Sequence, residues 1–512
     1  MSPNRRQFLS GAVAGSALPM LGAASRPAHA QQASTLRIRF YDDPAGFDPA
    51  NIFRIENENI AFNIFSGLTT YDSGTGAIIP DLAESWENAG NRVWAFRLRR
   101  GVKWQKGYGD FTSADVVFTY SRIVDPRTAS PYAAEFANVD RVEAPDAHTV
   151  IFHLKAPDGN FLHQVANYHQ GQIVNQRAIA DAGDRVRWNP VGTGPYFLDS
   201  INPTARIVLK RHAEYFRGPA PIETLDFQII KDEATSTIAL RNGELDLVMR
   251  SNRQENIETL ARAGFRLNRV DNYAVLLRVV NAQSNRALGD LRVRQALAHA
   301  VDWEAICRAT GPMLSAPAHS MLLPWMDVYT PDVPRYAFDP ARARRLLQEA
   351  GVRNLTVRQL GTAAQGVTEI QQFEMDFLSQ VGITMRMDLV DTPTFNQRRN
   401  RAEFELTTRL LPAVNPDTIL FSYLHPANAA PRGLNGARYD NPRLAEALEA
   451  ARAETDPARR RQLYAEVQRI AATDLFYMPL YTQNVIWPGR QNVHGVRINY
   501  LAQVNFHEVR FG

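Results

Sequence analysis

The chain has 512 residues, 45% hydrophobic and 21% charged, with 57 basic against 53 acidic residues and one cysteine. That length exceeds one ordinary core and predicts two or three domains within the composition range of soluble globular proteins. Three of the basic residues, Arg5, Arg6 and Arg26, lie in an acid-free leader, so the rest is nearly neutral and gives no electrostatic reason to expect nucleic acid or an anionic membrane as partner.

Arg5-Arg6-Gln7-Phe8-Leu9 is a twin-arginine pattern, and a weakly apolar run from Gly11 to Ala24 follows it. Ala28-His29-Ala30 supplies a small–x–small cleavage site, so residues 1–30 read as an export signal and Gln31 as the mature start, with the protein released into the periplasm. The apolar run is too short and too rich in Gly and Ala to span a bilayer as a stable helix. Thr35 to Tyr41 alternates Leu36, Ile38 and Phe40 with polar neighbours, which predicts a strand, and Phe53 to Phe65 predicts a helix. Trp94, Phe96 and Leu98 share one strand face, as do Val150, Phe152 and Leu154. Ser113-Ala114-Asp115 opens a helix that buries Val116, Val117 and Tyr120, so residues 63–189 predict a compact α+β insertion.

Pro190-Val191-Gly192-Thr193-Gly194-Pro195-Tyr196 has two glycines but neither the third glycine nor the lysine of a phosphate cradle, and it predicts a structural turn. Strands are expected at Ile207–Lys210, Leu225–Ile230 and Val275–Val280. A helix over Thr235–Arg241 ends toward Asn242-Gly243. From about residue 286 helices dominate. Val293, Ala296, Leu297, Ala300 and Val301 keep the spacing of a core-facing stripe. Asp339-Pro340, Asn441-Pro442 and Asp456-Pro457 each pair a cap with proline at the first helical position. Strands return at Met478–Tyr481, Val485–Trp487 and Val504–Phe511. Cys307, alone in a helical pattern, reads as a small buried hydrophobe.

Several segments in order resemble one family. Leu82-Ala83-Glu84-Ser85-Trp86, Phe96-Arg97-Leu98-Arg99-Arg100-Gly101-Val102-Lys103-Trp104 and Thr112 to Phe118 resemble the signature of family 5 extracellular solute-binding proteins of bacterial ABC importers, the peptide/nickel/opine type. Asn63 to Leu68, Pro190 to Tyr196, Asn242 to Asp246, Asp290 to Leu297, Asp339 to Gly351, Ala458 to Tyr464 and Met478 to Tyr481 resemble that family's further elements. The resemblance implies an α/β, two-lobed periplasmic binding protein fold (type II, cluster C) with an additional α+β subdomain. Lobe I is expected to combine residues 31–62, 190–272 and 478–512, with 63–189 inserted as the subdomain, and lobe II to span 273–477. The passages between lobes are expected near Asn272-Tyr273 and Tyr477-Met478.

The implied function is capture of a small solute, a peptide, opine or similar, by a monomer that delivers it to the membrane permease of an ABC importer. Expected ligand contacts are Tyr41, Phe53, Arg54, Tyr273, Arg409, Asn415, Asp417, Tyr481 and Trp487. Asn415-Pro416-Asp417 resembles the family's frequent Asp–Pro–Asp. The aspartate that takes a peptide's ammonium group in peptide-binding members aligns with Pro412, which speaks against a free-amine peptide. Arg409 offers a fork for a carboxylate or phosphate, or it pairs with a structural acid. Asp417 reads as a helix N-cap or a ligand contact. No cofactor, metal or catalytic residue is expected. His163 and His169 are wrongly spaced for a helical metal site, and His425 stands alone. A nickel chelate stays open as a ligand. Two other classes are weighed: a periplasmic enzyme using Arg409, Asp417 and a tyrosine, for which no nucleophile–base pair is visible, and a chaperone or sensor binding exposed segments of other proteins.

Overall fold

The computed structural model describes residues 34–52, 54–363, 366–412 and 415–512, so the expected export signal lies outside the described residues. One sheet runs the length of the molecule. Its order is Ile383–Val390, Leu355–Thr362, Leu406–Pro412, Arg266–Val280, Tyr477–Gly489, Leu247–Val248, Thr35–Phe40, Thr224–Ile229, Arg206–Arg211 and Tyr196–Asn202. Two long antiparallel strands at the centre, Arg266–Val280 and Tyr477–Gly489, join its halves.

The buried hydrophobic residues gather into bodies on either side of those strands. Lobe I packs Leu36, Ile38, Phe40, Phe227, Leu247 and Trp487. The subdomain packs Trp94, Phe96, Trp104, Val116, Tyr120 and Phe152. Lobe II has a cluster on each face of its sheet, because neighbouring residues of one strand point opposite ways. Val275, Leu277 and Val279 enter one cluster and Val280, beside Leu276, the other.

The strand Arg266–Val280 bends between the two bodies. The ladder slips between Val270 and Ala274, and Asn272 adopts a left-handed φ of 54°, a bulge that redirects the strand. The second passage lies later than Tyr477-Met478. Met478, Leu480 and Tyr481 pack in lobe II, and only Val485 and Trp487 belong to lobe I. At the C-terminus the expected strand shrinks to Arg510–Phe511, preceded by a short 3-10 turn at Phe506–Glu508.

The family-like segments have definite mechanical roles. Gln105 Nε2 donates to the carbonyls of Ile64, Gly194 and Tyr196, and its Oε1 accepts from the Gly192 N–H at 2.9 Å. A Cβ at Gly192 would stand 2.0 Å from the Ile64 carbonyl oxygen, so that loop is a close backbone contact. Asp115 completes a capping box with Thr112 and accepts from Trp104 Nε1 at 3.3 Å, fixing the subdomain helix Ser113–Val124. Each Asp-Pro or Asn-Pro start caps its helix: Asp339, Asn441 and Asp456 accept from Arg342, Leu444 and Arg459 backbone N–H groups.

Candidate functional site: the cleft between the lobes

Strands Thr35–Phe40 and Leu247–Val248 run parallel, and the chain leaves their carboxyl ends toward lobe II, where α/β sheets commonly place ligands. Tyr41 follows the first strand, and its hydroxyl donates to Glu56 Oε1 at 2.6 Å. Arg250 follows the second. Its Nη2 donates to the Tyr273 hydroxyl at 3.2 Å, and its guanidinium lies 5.5 Å from that ring's centroid. Burial works against the charge of Arg250, but Tyr273, Tyr41 and Glu56 more than offset it, so its pKa is raised. The turn after it is pinned by Glu233, whose carboxylate accepts from the backbone N–H groups of Asn252 and Arg253, both at 3.1 Å. Arg250 itself has φ 53°, a strained setting of the kind that clusters at ligand sites.

The subdomain adds a buried aromatic group. Tyr168 stacks on His169 at 3.8 Å and Tyr132 on His169 at 5.3 Å. Burial pushes the Tyr168 phenol up, with Glu58, Tyr132, Tyr71 and Tyr273 contributing. Glu58, 0% exposed, accepts from Gln172 Nε2 at 2.8 Å while its Oε2 has no partner. Burial raises its pKa well above the carboxylate range, and it pulls His169 down to about 3, leaving that ring neutral.

On the lobe II side Leu410 packs against the lobe I core. Arg409 Nε donates to the Tyr423 hydroxyl at 3.0 Å, with its guanidinium 4.9 Å from that ring's centroid. No carboxylate lies within ion-pair distance of Arg409 or of its neighbour Arg399 among the described residues. Burial, with Arg409 beside it, lowers Arg399 to about 10. The structural acid considered for Arg409 is therefore not found, and Arg409 is held within lobe II rather than joined to the Tyr41–Arg250–Tyr273 group.

Asp417 is not the helix cap. With proline at the first helical position of Pro416–Leu424, the cap falls on Asn415, whose side chain accepts from the Asp417 N–H at 2.9 Å. Asp417 points inward, accepting from the Tyr464 hydroxyl and from Arg452 Nε, each at 3.0 Å. Burial raises its carboxyl to about 6, opposed by Arg452 and reinforced by Asp158. These groups border a seam with the subdomain. Asn160 Nδ2 donates to the Tyr464 hydroxyl at 3.4 Å, Arg460 Nη1 to the Gly159 carbonyl at 3.3 Å, and Asn91 Nδ2 to the Glu454 carbonyl at 3.5 Å. Trp325 of lobe II stacks on Tyr500 at 4.3 Å and donates to the Asn272 carbonyl at 3.0 Å. The two halves therefore touch along an extended line.

The other expected contacts separate. Arg54 pairs with Asp42 at 2.9 Å, both substantially exposed. Phe53 lies outside the described residues. Tyr481 packs beside Trp303 in the lobe II core, because the chain has not yet crossed. Trp487, 1% exposed and packed near Phe506, is a core residue of lobe I. His163 bonds the Tyr71 hydroxyl at 3.1 Å and burial lowers it to about 4, while His425 bonds Glu449 at 3.2 Å. No cluster of three His, Cys, Asp or Glu able to hold a metal occurs among the described residues. The sequence alone does not single out Arg250, Tyr132 or Tyr168; the one sequence signal for Arg250 is its place just past the apolar run Leu247–Met249.

Residues 77–431 match the model of the bacterial extracellular solute-binding proteins, family 5 Middle. The chain belongs to that family. It is a solute-binding component of an ABC importer, a binding protein and not an enzyme. Among similar family 5 proteins is di/tripeptide-binding protein 2 of Pseudomonas aeruginosa (strain UCBPP-PA14), 26% identical, covering 96% of this chain and 98% of that one. A similar solved structure is MoaA from A. tumefaciens R10 in complex with mannopinic acid, at 27% identity and TM-score 0.80 over 93% of this chain and 99% of that chain. DppA from Helicobacter pylori in complex with the peptide STSA has TM-score 0.80 at 23% identity, covering 93% of this chain and 98% of that chain, a likeness of fold.

Proposed function

We propose that this family 5 protein captures an acidic solute of opine type, an amino acid joined to a polar organic group, in preference to a peptide with a free ammonium end. The observation that carries the reading is the charge inventory of the cleft. Arg250 meets Tyr273 and Asn252 and has no carboxylate in ion-pair contact among the described residues. The acids on the lobe I lip are already engaged: Asp42 by Arg54 at 2.9 Å, Asp43 by Lys231 at 2.6 Å and Glu56 by Tyr41 at 2.6 Å. Pro412 stands where an ammonium-binding aspartate is expected, in the ladder opposite Ala274. A half-buried guanidinium with no carboxylate in ion-pair contact favours a carboxylate, and a buried ammonium without an acid would be costly. The likeness to MoaA, whose structure holds mannopinic acid, supports the same class.

In this reading residues 31–62, 190–272 and the end of the chain from about 485 close on lobe II over the solute. Tyr41, Arg250 and Tyr273 contact it from lobe I. The loop through Asn415 does so from lobe II, and the closed form docks on the permease as a monomer in the periplasm after twin-arginine export. Contacts made by both lobes exist only in the closed state, so binding shifts the population toward closure. A melting-temperature screen of the mature protein tests this, since a ligand that binds only the folded form raises the midpoint. Mannopinic acid and related acids are expected to raise it and tri-alanine to leave it unchanged. Tight binding of free tripeptides with no response to acids would refute the proposal.

A further inference from the structure

Lobe II contains a second concavity that shares no residue with the cleft. Its volume is about 670 Å3, within the range of small-molecule sites. One wall is formed by Leu297, Val301 and Trp303, and the other by the loop Pro334–Phe338. The floor is the two central strands, through Arg278 and Met478–Leu480. Tyr336 is held in place by its hydroxyl, which donates to the Ala472 carbonyl at 3.2 Å, and by edge contact with His299.

The floor has an unmet requirement. Arg278 is 1% exposed, and its Nη2 is committed to Glu374 and to Gln359 Oε1. Its Nε has no partner, and neither has Nε2 of Gln359, which is 0% exposed. Buried donors are almost always paired, so the unpaired donor of Arg278, the one of the two residues that lines the concavity, calls for an acceptor from elsewhere. Glu374 already balances the Arg278 charge, so the acceptor can be a neutral carbonyl as well as a carboxylate. At the mouth Arg335 makes no ion pair among the described residues, whereas Glu304 is taken by Arg308 at 2.8 Å.

We propose that this concavity is a second binding site, independent of the cleft. It takes a small, mainly apolar molecule tipped with a carbonyl or carboxylate oxygen: the oxygen meets Arg278, and the body lies between Trp303 and Tyr336. The test is saturation-transfer NMR on the mature full chain with 3-phenylpropionate, 3-phenylpropionamide and 3-phenylpropylamine. The acid and the amide are expected to bind with Kd about 1 mM or tighter, and the amine, which brings a donor and a positive charge, is not. Whichever of the two binds more tightly identifies the tip. Ala298→Phe and Ala337→Trp fill the space from opposite walls, and each is expected to weaken binding tenfold or more. Ala337 is exposed, so Ala337→Trp decides the matter if Ala298→Phe lowers the melting temperature. The proposal is overturned if neither acid nor amide shows saturation transfer, if the amine binds as well as they do, or if affinity is unchanged by Ala337→Trp.

Discussion

Replacing Arg250 by glycine separates recognition from stability. In the unliganded protein opposing effects nearly cancel. A side chain in the left-handed region costs about 1–2 kcal/mol, and glycine at φ 53° relieves that. Against it stand the lost hydrogen bond to Tyr273, about 1 kcal/mol, the lost cation–π contact, about 0.5–1 kcal/mol, and the exposed hydrogen bond to Asn252, which contributes less than the first. The unfolding free energy is therefore expected to stay within about 1 kcal/mol of the parent. Binding has no such compensation. A hydrogen bond to a charged group contributes about 1.5–3 kcal/mol, which corresponds to roughly 10- to 150-fold in Kd. Isothermal titration with the acid that emerges from the melting screen, at low and high salt, measures this loss. Arg250→Lys keeps a charge on the same backbone and is expected to recover part of it. If Arg250→Gly unfolds several kcal/mol more easily while Kd for the acid is unchanged, Arg250 is a structural residue and the acidic-solute reading fails.

Three further outcomes are expected. Asn160→Ala with Arg460→Ala removes two hydrogen bonds of the seam, together about 1–3 kcal/mol. The radius of gyration of the unliganded protein by solution scattering should rise, and an unchanged value would mean the seam contributes nothing to closure. Asp417 has a folded pKa of about 6, above the ordinary unfolded value near 3.9. The native state therefore holds more protons between those limits, and stability is lost as pH rises through that window, by an amount on the order of 3 kcal/mol. Asp417→Asn should flatten the difference in urea unfolding between pH 4.5 and 7, and an unaltered difference would refute the assignment. Trp487→Ala should destabilise by about 3–5 kcal/mol as a large core deletion, whereas Arg54→Ala, on an exposed pair, should change stability by under about 0.5 kcal/mol. Equal effects in chemical denaturation would contradict their placement.

Local signals carried much of the architecture. The Asp-Pro and Asn-Pro starts were read correctly because a cap and a fixed φ are properties of two adjacent residues. The same rule, applied to Asn415-Pro416-Asp417, points to Asn415 as the cap, and reading Asp417 there overlooked it. Tyr481 and Trp487 were misplaced for a different reason. The strand Tyr477–Gly489 is buried almost throughout, so it has no alternation to show which face or which lobe a side chain enters. The second passage between lobes was hidden by the same continuity. Arg250 left no periodic trace either, since its position depends on a left-handed turn and on Glu233, seventeen residues earlier.

The separation of seam from solute contacts bears on how one fold serves many ligands. The hydrogen bonds joining Asn91, Gly159 and Asn160 to Glu454, Arg460 and Tyr464 use two backbone carbonyls and are independent of what lies between the lobes. They bring the halves together whatever the guest, so the solute has to supply only the difference between open and closed states. A few side chains, Tyr41 and Arg250 just past strand ends and Tyr273 at the bulge of Arg266–Val280, can then set the charge of the guest without disturbing the sheet. Selectivity would change by substitution at those positions while Gln105 and Gly192 hold the subdomain to lobe I and the capping aspartates fix their helices. Moving Arg250 to an acid should therefore reverse the preferred charge of the solute with little change in closure, which titration of an ammonium-bearing tripeptide against Arg250→Glu would show.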